Sequence, residues 1–176
     1  PAAARYRYLA AEAMSRAIES LNRLDAMSPR AIDRMPLARL AGVIRSAGYY
    51  NQKAERLKTL AAFFLSGARP TRDAILALRG IGPETADSIM LYAFDAPYFV
   101  VDAYTRRLFG RLGLINEMAP YDEVRLAFER NLPPRSGVYS EYHALIVEHG
   151  KRVCKKVPNC KKCLLITPRA RYLCTS

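Results

Sequence analysis

The sequence predicts an all-α protein. Apolar residues recur at helical spacing along most of the 176 residues, whereas alternating apolar and polar runs long enough for β-strands are absent. Residues that favour helix ends stand between the apolar segments and divide the chain into short helices. Because 51% of the residues are hydrophobic, a packed core is expected rather than a disordered chain.

The first helices are marked by an apolar face and by suitable boundary residues. Residues 10–24 place apolar side chains along one face, which predicts the first helix. Ser28 is a favourable cap for the next helical stretch, and Pro29 suits its first position because proline lacks an amide hydrogen. Gly48 is expected to end that stretch, since glycine readily adopts the left-handed backbone that follows helices.

The middle of the chain contains a predicted pair of helices joined by a tight turn. Asn51 is expected to cap a helix over residues 52–65. Thr71 opens a helix that reaches about residue 78, and Pro83 begins another that reaches about residue 94. Since only a short glycine-containing turn separates the last two, residues of about 72–94 are predicted to form a helix-hairpin-helix.

The last third of the chain carries three more predicted helices, over residues 103–112, 121–131 and 140–153. The stretch 133–137, rich in proline, glycine and serine, lies between the last two. We expect it to be a surface loop rather than a linker between independent domains, because it is short.

The charge of the chain indicates a polyanionic partner. Lys and Arg number 28 against 16 Asp and Glu, which gives a formal net charge of +12. Cations placed on phosphates release condensed counterions, so this charge favours nucleic acid, although binders of anionic membranes share it. No stretch approaches the ~20 apolar residues of a membrane span, and the N-terminus lacks the order of a secretory signal. A cytoplasmic protein without a membrane partner is therefore expected.

The turn Gly80-Ile81-Gly82 is a candidate phosphate site. Two glycines allow unusual backbone dihedral angles and remove side chains that would keep a phosphate away. The amides of the turn and the first turn of the next helix, which includes Thr85, would then bind the anion. Such a contact fixes the register of DNA without reading its sequence. The spacing alone is equally typical of a tight corner between helices.

Four cysteines near the C-terminus are candidate metal ligands. They follow the spacing C-x5-C-x2-C-x10-C and are Cys154, Cys160, Cys163 and Cys174. Four thiolates in one group suit either tetrahedral zinc or a 4Fe-4S cluster, and the spacing by itself slightly favours zinc. Lys155 and Lys156 are among the basic residues around them and are predicted to bind DNA phosphate, unless they belong to a solvated tail.

Several segments together resemble the helix-hairpin-helix (HhH-GPD) DNA glycosylase superfamily, specifically its endonuclease III-like branch. They are L-R-G-I-G-P-E-T-A, F-V-V-D-A-Y-T-R-R, G-Y-Y-N-Q-K-A-E-R-L-K and the cysteine group. The resemblance runs from about Ala17 to Cys174. It implies two lobes, a helical barrel over residues 1–96 that includes the hairpin, and a second lobe over residues 97–176 that carries Asp102 and the cysteines.

The resemblance also implies a cofactor. The endonuclease III branch holds a 4Fe-4S cluster at its C-terminal cysteines, usually with the spacing C-x6-C-x2-C-x5-C. The first gap is shorter here and the last is longer. On this basis a 4Fe-4S cluster is expected, with structural zinc as the alternative.

The matching position of the family assigns Asp102 as the catalytic carboxylate, which would stabilise positive charge on the sugar as the base leaves. An aspartate before a helix is also typical of an N-cap, and the two roles are compatible. Glu84 stands where bifunctional members carry a lysine that attacks the sugar. Tyr104 and Arg106 are expected to border the lesion pocket with it.

Two further predictions concern polar side chains elsewhere. Lys53, beside Tyr49 and Tyr50, is predicted to contact the DNA strand that flanks the lesion, although this helix start is also compatible with simple packing. His143 and His149 are interpreted as packing residues of the last helix.

The function that the resemblance implies is a monofunctional DNA N-glycosylase of base excision repair, acting as a monomer on double-stranded DNA in a bacterial or archaeal nucleoid. An alkylated purine such as 3-methyladenine is the expected substrate. Two alternatives remain at this point. One is an endonuclease III-like glycosylase for oxidised pyrimidines, with or without AP lyase activity. The other is a non-catalytic module that binds damaged DNA.

Overall fold

The computed structural model describes residues 14–165, and every regular element in that range is helical, as predicted. The chain forms two compact units, one ending at Ile81 and one beginning at Gly82. The division lies before the second hairpin helix, whereas the lobe boundary expected near residue 96 lies after it. No helix among the described residues has both the length and the apolarity needed to cross a membrane.

The described part of the first unit, residues 14–81, contains five helices and a short 3-10 turn at Arg45–Ala47. The helices are α1 (14–23), α2 (Pro29–Arg34), α3 (Leu37–Val43), α4 (Tyr50–Leu65) and α5 (Arg72–Leu76). The long helix α4 packs against α2 and α3. Their contact buries small residues of α4, Ala54 and Ala61, against Ile32 and Leu40.

Two local predictions in this unit are corrected. The helical stretch expected between Ser28 and Gly48 is divided at Pro36, because a residue that precedes proline avoids the helical region and Met35 is extended at φ −70° and ψ 129°. The predicted cap at Asn51 is also wrong. Helix α4 begins earlier, after Tyr49, which has a left-handed backbone at φ 47° and makes no capping hydrogen bond.

Between residues 82 and 165, the second unit contains four helices and a short 3-10 turn at Cys160–Lys162. The helices are α6 (Pro83–Phe94), α7 (Ala103–Arg111), α8 (Tyr121–Asn131) and α9 (Ser136–Arg152). Helix α9 packs against α6 and α7. The extended segment between α6 and α7 runs through the core, where Phe99 is fully buried and stacks on Phe128 with 4.2 Å between ring centroids.

The last helix begins earlier than predicted. Helix α9 starts at Ser136, so the end of the expected 133–137 loop is helical. The amides of a first helical turn need no partner within the helix, so serine and glycine cost little there. The loop is therefore confined to residues 132–135, with Pro133 and Pro134 at its centre.

Candidate active site

Asp102 is the N-cap of α7, and its two carboxylate oxygens have different surroundings. Oδ1 accepts hydrogen bonds from the backbone amide of Thr105 at 2.7 Å and from the Thr105 hydroxyl at 2.9 Å. Oδ2 takes no part in this cap and lies 3.5 Å from Nε2 of His143. The predicted cap is therefore confirmed, and it leaves one oxygen free for another role.

The backbone that leads to Asp102 is held by side chains of α8. The amide of Phe99 donates to Oε1 of Glu129 at 2.9 Å, and the amide of Val101 donates to the Tyr121 hydroxyl at 3.2 Å. Within residues 14–165 no strand lies beside this extended segment, so these side chains supply the partners that its buried amides need. These two hydrogen bonds anchor the backbone just before Asp102 and thereby fix the position of Asp102.

A network of charged side chains connects α8 to α6. Arg125, whose side chain is 10% exposed, lies 2.6 Å from Glu129, 3.0 Å from Asp122 and 3.9 Å from the fully buried Asp87 of α6. Burial raises the pKa of Tyr121, so its hydroxyl keeps the proton with which it can donate to Asp87 while accepting from the backbone. Removing Arg125 or Asp87 would leave an uncompensated buried charge and should therefore destabilise this unit strongly.

His143 of α9 links Asp102 to α6. Its Nδ1 lies 2.7 Å from the Tyr92 hydroxyl, while Nε2 faces Oδ2 of Asp102 and has no partner at full hydrogen-bonding distance among the described residues. The interpretation of His143 as a packing residue does not account for these two polar contacts. A sequence signal existed, because His143 shares helical spacing with the buried Tyr139, Ile146 and Gly150, and a polar residue on a buried face needs a partner.

The surroundings of Asp102 and Glu84 shift the pKa values of these two carboxylates in opposite directions. Burial by itself would raise the pKa of Asp102, but the contact with His143 and the two hydrogen bonds from Thr105 outweigh it and lower that pKa. The pKa of Glu84, in the first turn of α6, is raised by partial burial and by the nearby Asp102 carboxylate, with His143 opposing the shift. Asp102 is thus held in its charged form, whereas Glu84 resists ionisation.

Two predicted pocket residues, Tyr104 and Arg106, have partners elsewhere in the fold. The ring of Tyr104 lies against Gly150 so closely that a Cβ there would stand 2.5 Å from its Cδ1, and the Arg107 guanidinium lies 5.0 Å from its centroid. Nη1 of Arg106 donates to the carbonyls of Glu117 and Ala119, at 2.9 and 2.7 Å. Their role at the lesion stays a prediction.

The two glycines of the hairpin differ in what they require. Gly80 has φ +82°, and a Cβ there would lie 3.3 Å from Nε of Arg56. Gly82 has an ordinary extended backbone at φ −93°, and nothing lies within 4 Å of an added Cβ. The expectation of unusual dihedral angles at both glycines is therefore corrected, because only Gly80 needs one. The buried Ile81 lies between them.

The remaining predicted DNA contacts lie on both units. Thr85 is exposed in the first turn of α6. Nζ of Lys53 donates to the carbonyl of Ala47 at 2.5 Å. The carbonyls of Lys155 and Lys156 are held by the guanidinium of Arg111, at 2.5 and 2.8 Å. Their backbone is thus anchored to α7, which leaves the two ammonium groups on a defined loop.

Three of the predicted metal ligands line one pocket of the second unit, and they are Cys154, Cys160 and Cys163. Cys174 lies outside the described residues. Nη1 of Arg111 is 3.5 Å from Sγ of Cys154, and Nε2 of His149 is 3.5 Å from Sγ of Cys163. Within residues 14–165, no three side chains of the metal-binding types are close enough to hold a single metal ion.

Comparison with known proteins gives the same family by three routes. The family model described as "HhH-GPD superfamily base excision DNA repair protein" matches residues 8–134. A protein of Methanocaldococcus jannaschii, provisionally named DNA repair glycosylase MJ1434, is 45% identical over 163 residues, which cover 85% of this chain and 74% of that protein. Endonuclease III of Thermotoga maritima is 30% identical over 131 residues, 72% of this chain but only 60% of the relative.

Solved structures extend the similarity to the fold. A non-covalent Endonuclease III–DNA complex aligns with a TM-score of 0.74 at 26% identity, over 88% of this chain and 75% of that one. The H. pylori 3-methyladenine DNA glycosylase bound to 1,N6-ethenoadenine aligns with a TM-score of 0.73 at 28% identity, over 80% and 78% of the two chains. The chain belongs to the HhH-GPD superfamily of base excision DNA repair proteins.

Proposed function

We propose that the protein is a DNA N-glycosylase that removes a damaged base from double-stranded DNA. The observation that carries the proposal is the Asp102 carboxylate, which is kept charged while one oxygen remains outside the helix cap. Membership of a base excision repair family and similarity to an Endonuclease III–DNA complex support it. The chain acts as a monomer on DNA, in the nucleoid of a bacterium or archaeon.

The chemistry follows from where charge develops. The target nucleotide leaves the base stack, because the glycosidic bond is shielded within the duplex. As the C1′–N bond breaks, its electron pair goes to the base and positive charge builds on the sugar. A fixed carboxylate next to the sugar stabilises that charge, and water then bonds to C1′ and loses its proton to the carboxylate or to solvent.

Glu84 supports a monofunctional mechanism. A carboxylate cannot form the imine by which a lysine at this position would cleave the strand. Borohydride added during turnover should therefore trap no enzyme–DNA adduct, and the product should be an intact abasic strand that breaks only after alkali. Efficient trapping would show that another amine attacks the sugar, and the monofunctional assignment would be withdrawn.

An alkylated purine is the proposed substrate. The segments E-T-A, directly after the hairpin, and D-A-Y-T-R-R are similar to those of the 3-methyladenine-removing relatives, and a structure of one such relative aligns with this chain at a TM-score of 0.73. The experiment is single-turnover base release from duplexes that carry 3-methyladenine, 1,N6-ethenoadenine, thymine glycol or no lesion. Release of purine lesions only supports the assignment, whereas release of thymine glycol only favours the oxidised-pyrimidine alternative. Tight binding without any release would identify a non-catalytic module.

A 4Fe-4S cluster is the proposed cofactor, because the endonuclease III-like branch that this chain resembles holds one at its C-terminal cysteines. Three of the four thiols line a common pocket, which suits either a cluster or the alternative of a structural zinc ion. The cluster would be held by Cys154, Cys160, Cys163 and Cys174 and would order the basic loop. Arg107 contributes by donating from Nε to the Cys154 carbonyl at 2.9 Å.

A further inference from the structure

Three side chains from three parts of the second unit form a continuous polar chain. The Tyr92 hydroxyl of α6 contacts Nδ1 of His143 on α9, and Nε2 of the same ring faces Oδ2 of Asp102 at the start of α7. The side chains of His143 and Asp102 are 13% and 14% exposed, so little water competes with the contact between them.

The two ends of this chain select the same tautomer of His143. A neutral imidazole carries its proton on one nitrogen and a lone pair on the other. If the proton were on Nδ1, the lone pair of Nε2 would face a carboxylate oxygen, which is repulsive. If Tyr92 donates to Nδ1, the proton lies on Nε2 and points at Oδ2. Of the two neutral forms, only the second satisfies both neighbours, and the imidazolium likewise carries a proton on Nε2.

The contact between His143 and Asp102 restrains the orientation of the Asp102 carboxylate. Thr105 holds Oδ1 with two hydrogen bonds, but one oxygen can stay fixed while the carboxyl group rotates about it. A donor at Nε2 of His143 restrains the other oxygen. The distance of 3.5 Å is longer than an ordinary hydrogen bond, as is common for catalytic contacts before substrate binds.

We propose that Tyr92 and His143 are positioning residues, which fix the plane of the Asp102 carboxylate and thereby the oxygen that faces the sugar. The inference rests on the proposed glycosylase function for its kinetic consequence. The tautomer of His143, however, is a property of the free protein and can be measured without DNA. The two proposals can therefore fail separately.

The first test is spectroscopic. Long-range ¹H–¹⁵N correlation spectra of the free protein should show His143 with its proton on Nε2, and the His143→Gln variant assigns the signals because the chain has only 2 histidines. In Tyr92→Phe, the population of the Nδ1–H tautomer should rise. A proton on Nδ1 and none on Nε2 in the wild-type protein would overturn the inference, because Nε2 could not then donate to Asp102, whatever the activity of the protein.

The second test is kinetic. His143→Leu should slow single-turnover base release by about 10-fold to 100-fold, the effect of losing a hydrogen bond to a charged group, without weakening binding to the same duplex. His143→Gln should recover most of the rate, because its side-chain amide can place a donor near the position of Nε2. Equal rates in both variants would show that the ring acts only by packing.

Tyr142→Phe is the matched control. It removes a hydroxyl from the neighbouring position of α9, and its ring packs in the aromatic cluster with Phe99, Phe109 and Phe128. It should leave both the tautomer and the rate unchanged, whereas Tyr92→Phe changes both. If the wild-type protein releases no base from any lesion, the glycosylase proposal fails while the spectroscopic test still decides the orientation of His143.

Discussion

Asp102 uses one oxygen to begin a helix and leaves the other for chemistry. The first use could be predicted from the sequence, since an aspartate between an apolar run and a helix is a typical cap. The second depends on His143, which reaches the carboxylate only because α9 packs against α7. Helical periodicity places His143 on a buried face, but it does not say which element that face meets.

Glu84→Gln should stabilise the protein at neutral pH. The pKa of Glu84 is raised in the folded protein above its ordinary value of 4.5, so its ionised form is disfavoured by folding. The gain in melting temperature should be complete above the raised pKa. It should shrink as the pH falls through that value and vanish below 4.5, where both states are protonated. Thermal melts at several pH values measure it.

Glu123→Gln provides the comparison for this prediction. Glu123 also stands in the first turn of a helix, α8, where a negative charge is favourable at the positive end of the helix dipole. Its replacement should therefore not raise the melting temperature. If Glu84→Gln lowered the melting temperature as well, the helix dipole would outweigh the burial and the Asp102 charge at Glu84.

At the scale of elements, boundaries set by single residues were predictable and those set by packing were not. Thr71 caps α5 through a hydrogen bond from the Ala74 amide, and Pro83 begins α6, both as expected. The start of α4 was misplaced because no polar cap exists there. Packing of α4 on α2 and α3 overrides the local preference for Asn51, and the left-handed Tyr49 is tolerated.

Gly82→Ala should separate the phosphate contact from the folding of the hairpin. Its backbone suits any residue and the space beside it is open, so the fold should persist with a loss of about 1 kcal/mol or less for a poorer helix cap. The added methyl group would keep a phosphate away from the turn. Fluorescence anisotropy should therefore show weaker binding to damaged and undamaged duplexes alike.

Gly42→Ala is the matched control for the hairpin. Gly42 lies within α3, and nothing stands within 4 Å of an added Cβ. Alanine should stabilise that helix slightly and leave DNA affinity unchanged. Weaker binding of only one type of lesion by Gly82→Ala would mean that the hairpin reads the base rather than the backbone.

At the scale of the whole molecule, composition and motif order predicted the all-α fold and the family, because both depend on features that recur along the chain. The sequence predicts that Cys154, Cys160 and Cys163 belong to one group. It does not predict which residues hold the loop that carries them. Arg107 and Arg111 of α7 hold the backbone of this loop, and no spacing rule connects them to the cysteines. Long-range contacts of this kind follow from the packing of helices.

The purified protein should contain iron. A 4Fe-4S cluster gives a yellow-brown colour, broad absorbance near ~400 nm and roughly four irons per chain. Cys163→Ala should lose the absorbance and lower the melting temperature, because the loop loses a ligand that closes it. Metal analysis and absorbance spectra measure both. Colourless protein with one zinc per chain would contradict the cluster and show that the cysteines hold a structural zinc ion.

Single-turnover base release by Asp102→Asn, measured on the lesion that the wild-type protein releases fastest, tests the catalytic role of Asp102. Asparagine caps a helix as well as aspartate does, so α7 and the affinity for DNA should be kept while the negative charge beside the sugar is lost. We expect release to slow by ~10²-fold or more, the scale of losing one electrostatic partner of the transition state. Release at a near-normal rate, with binding unchanged, would contradict the assignment of Asp102 as the catalytic carboxylate.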